Sequence, residues 1–221
     1  MSVQAIQESY DLDIRRAAIS DMPNVLADIY REDVNIAVWQ ESLNQQAIDD
    51  ANTILANSEQ LNLVIAATPN DIIKQLSEYS ELASHTALCQ HIHTLIDMFC
   101  TLFELKRAGL RLTILDKAMC PKFHVDKIPC RLVSTFSGTA TEWLQHQDVD
   151  HSKLGAASVG LSDEESGVYQ NEAQIQQLAA GDVALLKGSG WINNEHAGLV
   201  HRSPYQAKDQ RRLVITLDFI D

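Results

Sequence analysis

The apolar pattern of this chain changes period once, near Gly109, and that change narrows the folds open to it. In 86–107, Leu88, Ile92, Leu95, Ile96, Phe99, Leu102 and Phe103 recur at three and four residues, the spacing of a wide apolar stripe on one helix. Gly109 is expected to stop that helix, with Lys106 and Arg107 complementing its C-terminus. Beyond it the pattern becomes strand-like, and strands are expected at 110–116, 123–126, 131–136, 141–144, 183–187, 197–201 and 212–219. The polar stretch 145–181 interrupts them and carries a short helix at 172–179. So long an excursion within a domain is expected to act as a lid, a binding loop or a mobile insertion.

The first half adds a short helix at 23–31, a strand at 35–39, a helix at 42–56 opened by Ser42, and a buried strand at 61–66. A further helix, capped by Asn70 or Asp71, is expected to run towards Leu82. A helical layer followed by many short strands implies an α+β class, a β-sandwich or jelly roll with helices against one sheet. No linker or repeat divides the chain, so residues 1–221 are read as one integrated domain, with 1–109 mainly a helical layer and 110–221 the β core.

Bulk properties exclude several functions. A length of 221 residues at 45% hydrophobic composition is enough for a buried core. The net charge of −13 supplies no basic field for nucleic acid or an anionic membrane, which leaves a small molecule or a protein as substrate or partner. The four cysteines, Cys89, Cys100, Cys120 and Cys130, show no paired CxxC spacing and are read as reduced thiols. The start, Met1-Ser-Val-Gln-Ala-Ile-Gln-Glu8, is not of signal-peptide type, and no apolar run has the length of a membrane span. These features predict a soluble cytoplasmic protein.

The chemistry lies in Cys120-Pro-Lys-Phe-His-Val-Asp126 and Gly198-Leu-Val-His-Arg-Ser-Pro204. Residues two apart on a strand share a face, so His124 and Asp126 can grip one ion, and His201 can add a third ligand from a neighbouring strand. Two histidines and one carboxylate form the facial triad of non-haem Fe(II) oxygenases, which leaves positions open for co-substrate and oxygen. The pair Arg211 and Arg212 offers a partner for a carboxylate-bearing co-substrate. Taken alone, the His-Val-Asp motif is as well explained by a hydrogen-bonded surface pair.

The order of elements resembles the double-stranded β-helix (jelly-roll, cupin-like) dioxygenases that use Fe(II) and 2-oxoglutarate. In that superfamily the His-x-Asp motif sits near an early strand end, the second histidine on the penultimate strand, and the co-substrate arginine opens the last. The phrases Phe123-His-Val-Asp126, Arg131-Leu-Val-Ser-Thr-Phe-Ser-Gly-Thr-Ala-Thr-Glu-Trp143 and Gly198-Leu-Val-His-Arg-Ser-Pro204 also resemble a bacterial family, domain of unknown function 1826. The superfamily resemblance implies Fe(II) on His124, Asp126 and His201, with 2-oxoglutarate paired to an arginine. Parity selects between the two arginines: Leu213, Ile215, Leu217 and Phe219 share one face of the last strand, while Arg212, Val214, Thr216 and Asp218 share the other. In a jelly roll covered by helices the mixed face lines the mouth, which favours Arg212, with Thr216 as a second donor, and leaves Arg211 at the surface.

The competing reading is a non-catalytic, cupin-like zinc protein in metal homeostasis, because zinc accepts the same ligands. An oxygenase needs a buried cation facing the metal and a storage site does not. Other polar groups have plainer explanations. His196 is expected on the opposite strand face from His201, Asn193 and Asn194 read as turn residues, and Glu142 as a solvent-facing residue beside a packed Trp143. The ladder His85, Cys89, His93 and Asp97 drifts off the apolar stripe and reads as packing rather than a zinc site. Cys120 and Cys130 flank the motif without needing a ligand role.

Overall fold

Among the described residues, ten strands divide unequally between two sheets. A computed structural model describes residues 14–220; the N-terminal segment inspected for a leader lies outside them. The first strands are β1 (Arg16–Ser20), β2 (Val34–Trp39), β3 (Asn62–Ala67), β4 (Ala108–Leu115) and β5 (Cys130–Ser137). They are followed by β6 (Glu142–Leu144), β7 (Ile175–Gln177), β8 (Val183–Lys187), β9 (His201–Arg202) and β10 (Arg212–Phe219). The helices are α1 (Gln45–Asn57), α2 (Ile72–Ser77), α3 (Thr86–Leu102) and α4 (Asp163–Ser166), with a 3-10 helix at Pro23–Tyr30.

The major sheet runs β1-β2-β8-β5-β10-β4-β3 and the minor sheet β7-β6-β9. Among the described residues, only the β1–β2 pair of the major sheet is parallel. An isolated antiparallel bridge between His124 and His201 extends the minor sheet by one residue pair. Alternation on β10 sets up the layers. Leu213, Ile215 and Leu217 pack under α1 and α3 against Ile54, Ile92, Leu95 and Phe99. On the opposite face, Val214, Val133 and Leu186 meet Trp143, Leu178 and Leu199 between the two sheets. The fold is mixed α and β around one large sheet, and no helix among the described residues is long and apolar enough to cross a membrane.

Several local expectations change. The helix α3 ends at Leu102 because Glu104 takes a left-handed conformation (φ 54°), Glu104 N–H donates to Thr101 O (3.4 Å) and Leu105 N–H to Cys100 O (2.8 Å). This is a Schellman stop with glutamate in the usual glycine position. Gly109 instead lies inside β4, where a Cβ would stand 2.8 Å from Ile220 Cγ2. The cap of α1 is Asn44, whose side chain accepts from Ala47 N–H (2.9 Å), rather than Ser42. The helix after Asp71 stops at Ser77. The 123–126 strand reduces to the His124 bridge, and the 197–201 strand begins only at His201. The helix expected at 172–179 is a 3-10 turn at Glu172–Gln174 that leads into β7. The first half also contributes β1, β2 and β3 to the major sheet, so it supplies sheet as well as helices.

Candidate metal centre

Alternation across the minor sheet turns His124 and His201 towards the major sheet and their neighbours Phe123 and Arg202 away from it. The two imidazoles lie 4.6 Å apart between ring centroids, tied by reciprocal backbone bonds (His124 N to His201 O, 3.1 Å; His201 N to His124 O, 3.0 Å). Asp126 reaches the same point from a turn. Its Oδ1 is 3.6 Å from His124 Nε2 and its Oδ2 is 3.6 Å from His201 Nε2. One ligand atom from each of the three residues falls within 4.8 Å of the others, and no second such group of His, Cys, Asp or Glu occurs among the described residues. Close backbone contact holds Asp126 in place. Ser189 N–H donates to Asp126 O (2.9 Å), and a Cβ on Gly188 would sit 2.7 Å from that same oxygen.

Each histidine presents the same nitrogen to the site. His124 Nδ1 lies 2.9 Å from Lys122 O and His201 Nδ1 lies 3.2 Å from Leu199 O. A proton on Nδ1 donated to a carbonyl leaves the Nε2 lone pair free, the tautomer a metal requires. Complete burial pushes His201 down to a pKa of about 4, which keeps it neutral. His124 is raised by its contact with Asp126. Burial pushes the Asp126 carboxyl upwards, but His124, His201 and Arg131 together hold it at about 2. A neutral buried histidine beside an ionised carboxylate is a donor set suited to a divalent cation.

Arg131 is the residue that sequence reasoning overlooked. From β5 it donates to Asp126 Oδ2 (2.7 Å) and, on its other edge, to Asp218 Oδ1 (2.7 Å) and Oδ2 (3.1 Å). Asp218 is its direct cross-strand partner on β10. Alternation along β5 was the available signal, because it places Arg131, Val133 and Thr135 on one face.

A cavity of about 80 Å³ opens beside the triad, lined by His124, His201, Arg131, Arg212, Thr216 and apolar side chains from Leu115, Val133, Leu186 and Val214. Arg212 is 2% exposed. It donates to Ser203 Oγ (3.0 Å) and to Thr139 O (3.5 Å), while its Nε has no hydrogen-bond partner among the described residues. Burial alone lowers its pKa to about 10, since no carboxylate compensates. Arg211 turns the other way and donates to the carbonyls of Ser58 (2.7 Å) and Leu55 at the end of α1.

The 145–181 segment backs the centre instead of lying loose above it. Val168 and Tyr169 pack with Phe123, Leu144 and Val200 in a small core of their own. Asp163, 7% exposed, accepts from Phe123 N–H (3.0 Å) and from Arg202 Nη1 (2.9 Å). Arg202 also donates to Glu142 Oε2 (2.6 Å) and lies 4.3 Å over the Phe123 ring. One carboxylate from the insertion therefore clamps the chain neighbours of both histidines. Glu142, expected to face solvent, belongs to this cluster.

The remaining candidates stand apart. His196 is exposed. Asn193 has φ 62° and Asn194 Nδ2 donates to Gly188 O (3.1 Å), which are turn roles. His85 contacts Asp50 (3.3 Å) and Cys89 is buried against Leu82 O, so the helix ladder is packing. Cys120 lines the cavity mouth, and Cys130 is wholly buried.

The family model described as "protein of unknown function (DUF1826)" matches residues 20–218. The chain belongs to that family. No curated protein matches this DUF1826 chain. Its fold is similar to that of a dioxygenase for auxin oxidation from rice, with a TM-score of 0.54 at 12% identity over 93% of this chain and 83% of that one. Dioxygenase for auxin oxidation 1 from Arabidopsis thaliana, in binary complex with 2-oxoglutarate, aligns over 94% of each chain at 8% identity and a TM-score of 0.47. A Trichoplax adhaerens prolyl hydroxylase bound to a hypoxia-inducible-factor peptide aligns at 10% identity over 100% of this chain and 94% of its own, with a TM-score of 0.46. At 12% identity the likeness to the rice protein is one of fold.

Proposed function

We propose that this DUF1826 protein is an Fe(II)- and 2-oxoglutarate-dependent oxygenase of hydroxylase type, built on a double-stranded β-helix (jelly roll). Its substrate would be a small molecule or a protein side chain. Arg212 carries the proposal. It is a guanidinium 2% exposed, without a carboxylate among the described residues, in the cavity that the two histidines also line. A buried cation left unpaired is costly unless a ligand brings the anion. The donor set fits Fe(II), and the orphaned Nε of Arg212 fits the distal carboxylate of 2-oxoglutarate.

His124 Nε2, His201 Nε2 and Asp126 would hold the iron. Arg131, by donating to Asp126 Oδ2, would hold the carboxylate in place and leave Oδ1 as its free ligand atom. Arg212 would bind and orient the co-substrate, with the Thr216 hydroxyl as a second donor. Leu115, Val133, Leu186 and Val214 line the cavity and would exclude water from it. When bound, the iron and 2-oxoglutarate supply the oxidising chemistry, which the side chains alone do not have. A net charge of −13 directs the substrate away from nucleic acid, and we assign the protein to the cytoplasm.

Anaerobic visible absorption tests this reading. Apo-protein titrated with Fe(II) and then 2-oxoglutarate is expected to develop a weak charge-transfer band only when both are present. Arg212→Ala should abolish the band while retaining Fe(II) binding. Metal binding with no band in the wild type would overturn the oxygenase reading and leave a zinc-binding protein of metal homeostasis. If Arg211→Ala, and not Arg212→Ala, removed the band, the assignment of the co-substrate arginine would fail.

A further inference from the structure

The helix-covered face of the major sheet is not filled everywhere. The 3-10 helix Pro23–Tyr30 and α3 border a slot of about 260 Å³ whose floor is Leu132 of β5 and Leu185 of β8. From α3 come Leu95, Met98, Phe99 and Leu102, at the three- and four-residue spacing of one helix face. The 3-10 helix offers the short Pro23, Asn24 and Ala27 beside a single long apolar group, Leu26, so the gap stays open. One end is plugged. Tyr30 Oη donates to Leu102 O (2.8 Å), and the Tyr30 ring meets Phe103 and Trp191 at 5.9 and 5.3 Å between centroids. The buried ammonium of Lys187 lies beyond that plug, 4.9 Å from the centre of the Trp191 ring, and does not line the slot.

This space and the metal-side cavity lie on opposite faces of the sheet and share no lining residue. Leu132 alternates with Arg131 and Val133, and Leu185 with Leu186, all three of which line the metal side. Water among leucine, methionine and phenylalanine side chains lacks the polar partners it needs, so an apolar body fills such a volume better. Met98, unbranched and adaptable, can fit its shape to one. Polar chemistry is confined to the rim, where Asp97 and Thr101 stand one turn apart. Asp97 is the one charged side chain lining the slot among the described residues. No cation there receives an anionic head, and a net charge of −13 adds to the bias.

We propose that this slot binds a small aryl-alkyl monoamine, its ring over Leu132 and Leu185 and its ammonium at Asp97. The Thr101 hydroxyl and the Asn24 side-chain carbonyl on the same rim offer further acceptors. A volume just under the roughly 300–1,000 Å³ of drug-sized pockets limits the body to a single ring.

The site is independent of the metal and of the oxygenase reading, so its test uses the metal-free, full-length protein. The fluorine NMR line of 4-fluorophenethylamine is followed as protein is added, with 3-(4-fluorophenyl)propanoate as the anion of like shape. Saturable broadening is expected for the amine, with the carboxylate at least about fivefold weaker. Ala27 and Asp97 are both exposed, so the fold tolerates change at either. Ala27→Trp should plug the slot and abolish binding. Asp97→Asn should weaken the amine about two- to fivefold, the worth of an exposed ion pair. Asp97→Lys should reverse the preference between the two probes. Equal affinity for both probes in the wild type overturns the proposal. So does amine binding kept in Ala27→Trp, which would place the ligand elsewhere. A wild type that binds neither probe overturns it too, and a dimer that Ala27→Trp dissociates would then make a second copy the occupant.

Discussion

The two sheets of this protein are held in register by different means. In the major sheet, β10 pairs with β4 without a break from Arg212↔Leu115 to Phe219↔Ala108, and with β5 across one irregularity between Leu213 and Val214, over a wholly apolar face. Backbone ladder and hydrophobic burial fix it, and its polar residues come along as passengers on the other face. In the minor sheet, β9 has two residues and β6 and β7 have three each, too few for a ladder to fix much. There the polar cluster of Asp163, Arg202 and Glu142 replaces the missing ladder. Arg212, the proposed partner of the co-substrate, is thus placed by the robust sheet, while His124 and His201 are placed by the fragile one.

This contrast can be broken in graded steps. Leu217→Ala, in the helix-side core, should cost about 2–5 kcal/mol in denaturant unfolding and leave Co(II) affinity of the folded protein unchanged. Asp163→Asn should cost less, about 1–3 kcal/mol, yet weaken Co(II) binding about tenfold as followed by its visible spectrum. Equal affinity in that variant would reduce the clamp to a support for the fold.

His91, on α3 beside Phe136 and Trp39, sharpens the same contrast through pH. Burial depresses its folded pKa to about 4, below the unfolded value of about 6.5. The unfolded chain therefore takes up the proton first on acidification. Its stabilisation is complete above pH about 6.5 and is lost as pH falls towards 4. Melting temperatures between pH 7 and 5 should fall in the wild type and fall less in His91→Phe. The smallest effect belongs to Arg211→Ala, about 1 kcal/mol from uncapping α1, with no change in co-substrate binding.

What was legible in the chain follows the same division. The strands at 183–187 and 212–219, and the parity that turns Arg212 and Thr216 into the cavity, could be read because a long ladder and a buried face write themselves as alternation. The proposed ligand trio was legible as residue types at strand spacing. The strand around His124 was not, because Asp126 is set by a turn packed against Gly188, a contact between segments far apart in sequence. Asp163 carried no signal, lying in a polar stretch that looks like surface until Phe123 and Arg202 close over it. Lys187 looked like the polar end of an apolar run, since nothing local tells that its head is buried against Trp191.

Leu186 and Lys187 stand side by side on β8 and open into different cavities. The turn that feeds this strand is fixed in length by Asp182, whose carboxylate accepts from Ala179 N–H (2.8 Å) and whose own N–H donates to Ala179 O (3.1 Å). Losing or gaining a single codon there would slip the strand by one residue and interchange its faces. Losing a residue would bring the ammonium beside the two histidines, and gaining one would put the isobutyl group of Leu186 against the indole. Reading-frame-preserving length changes, tolerated in most surface turns, should therefore be absent from this one.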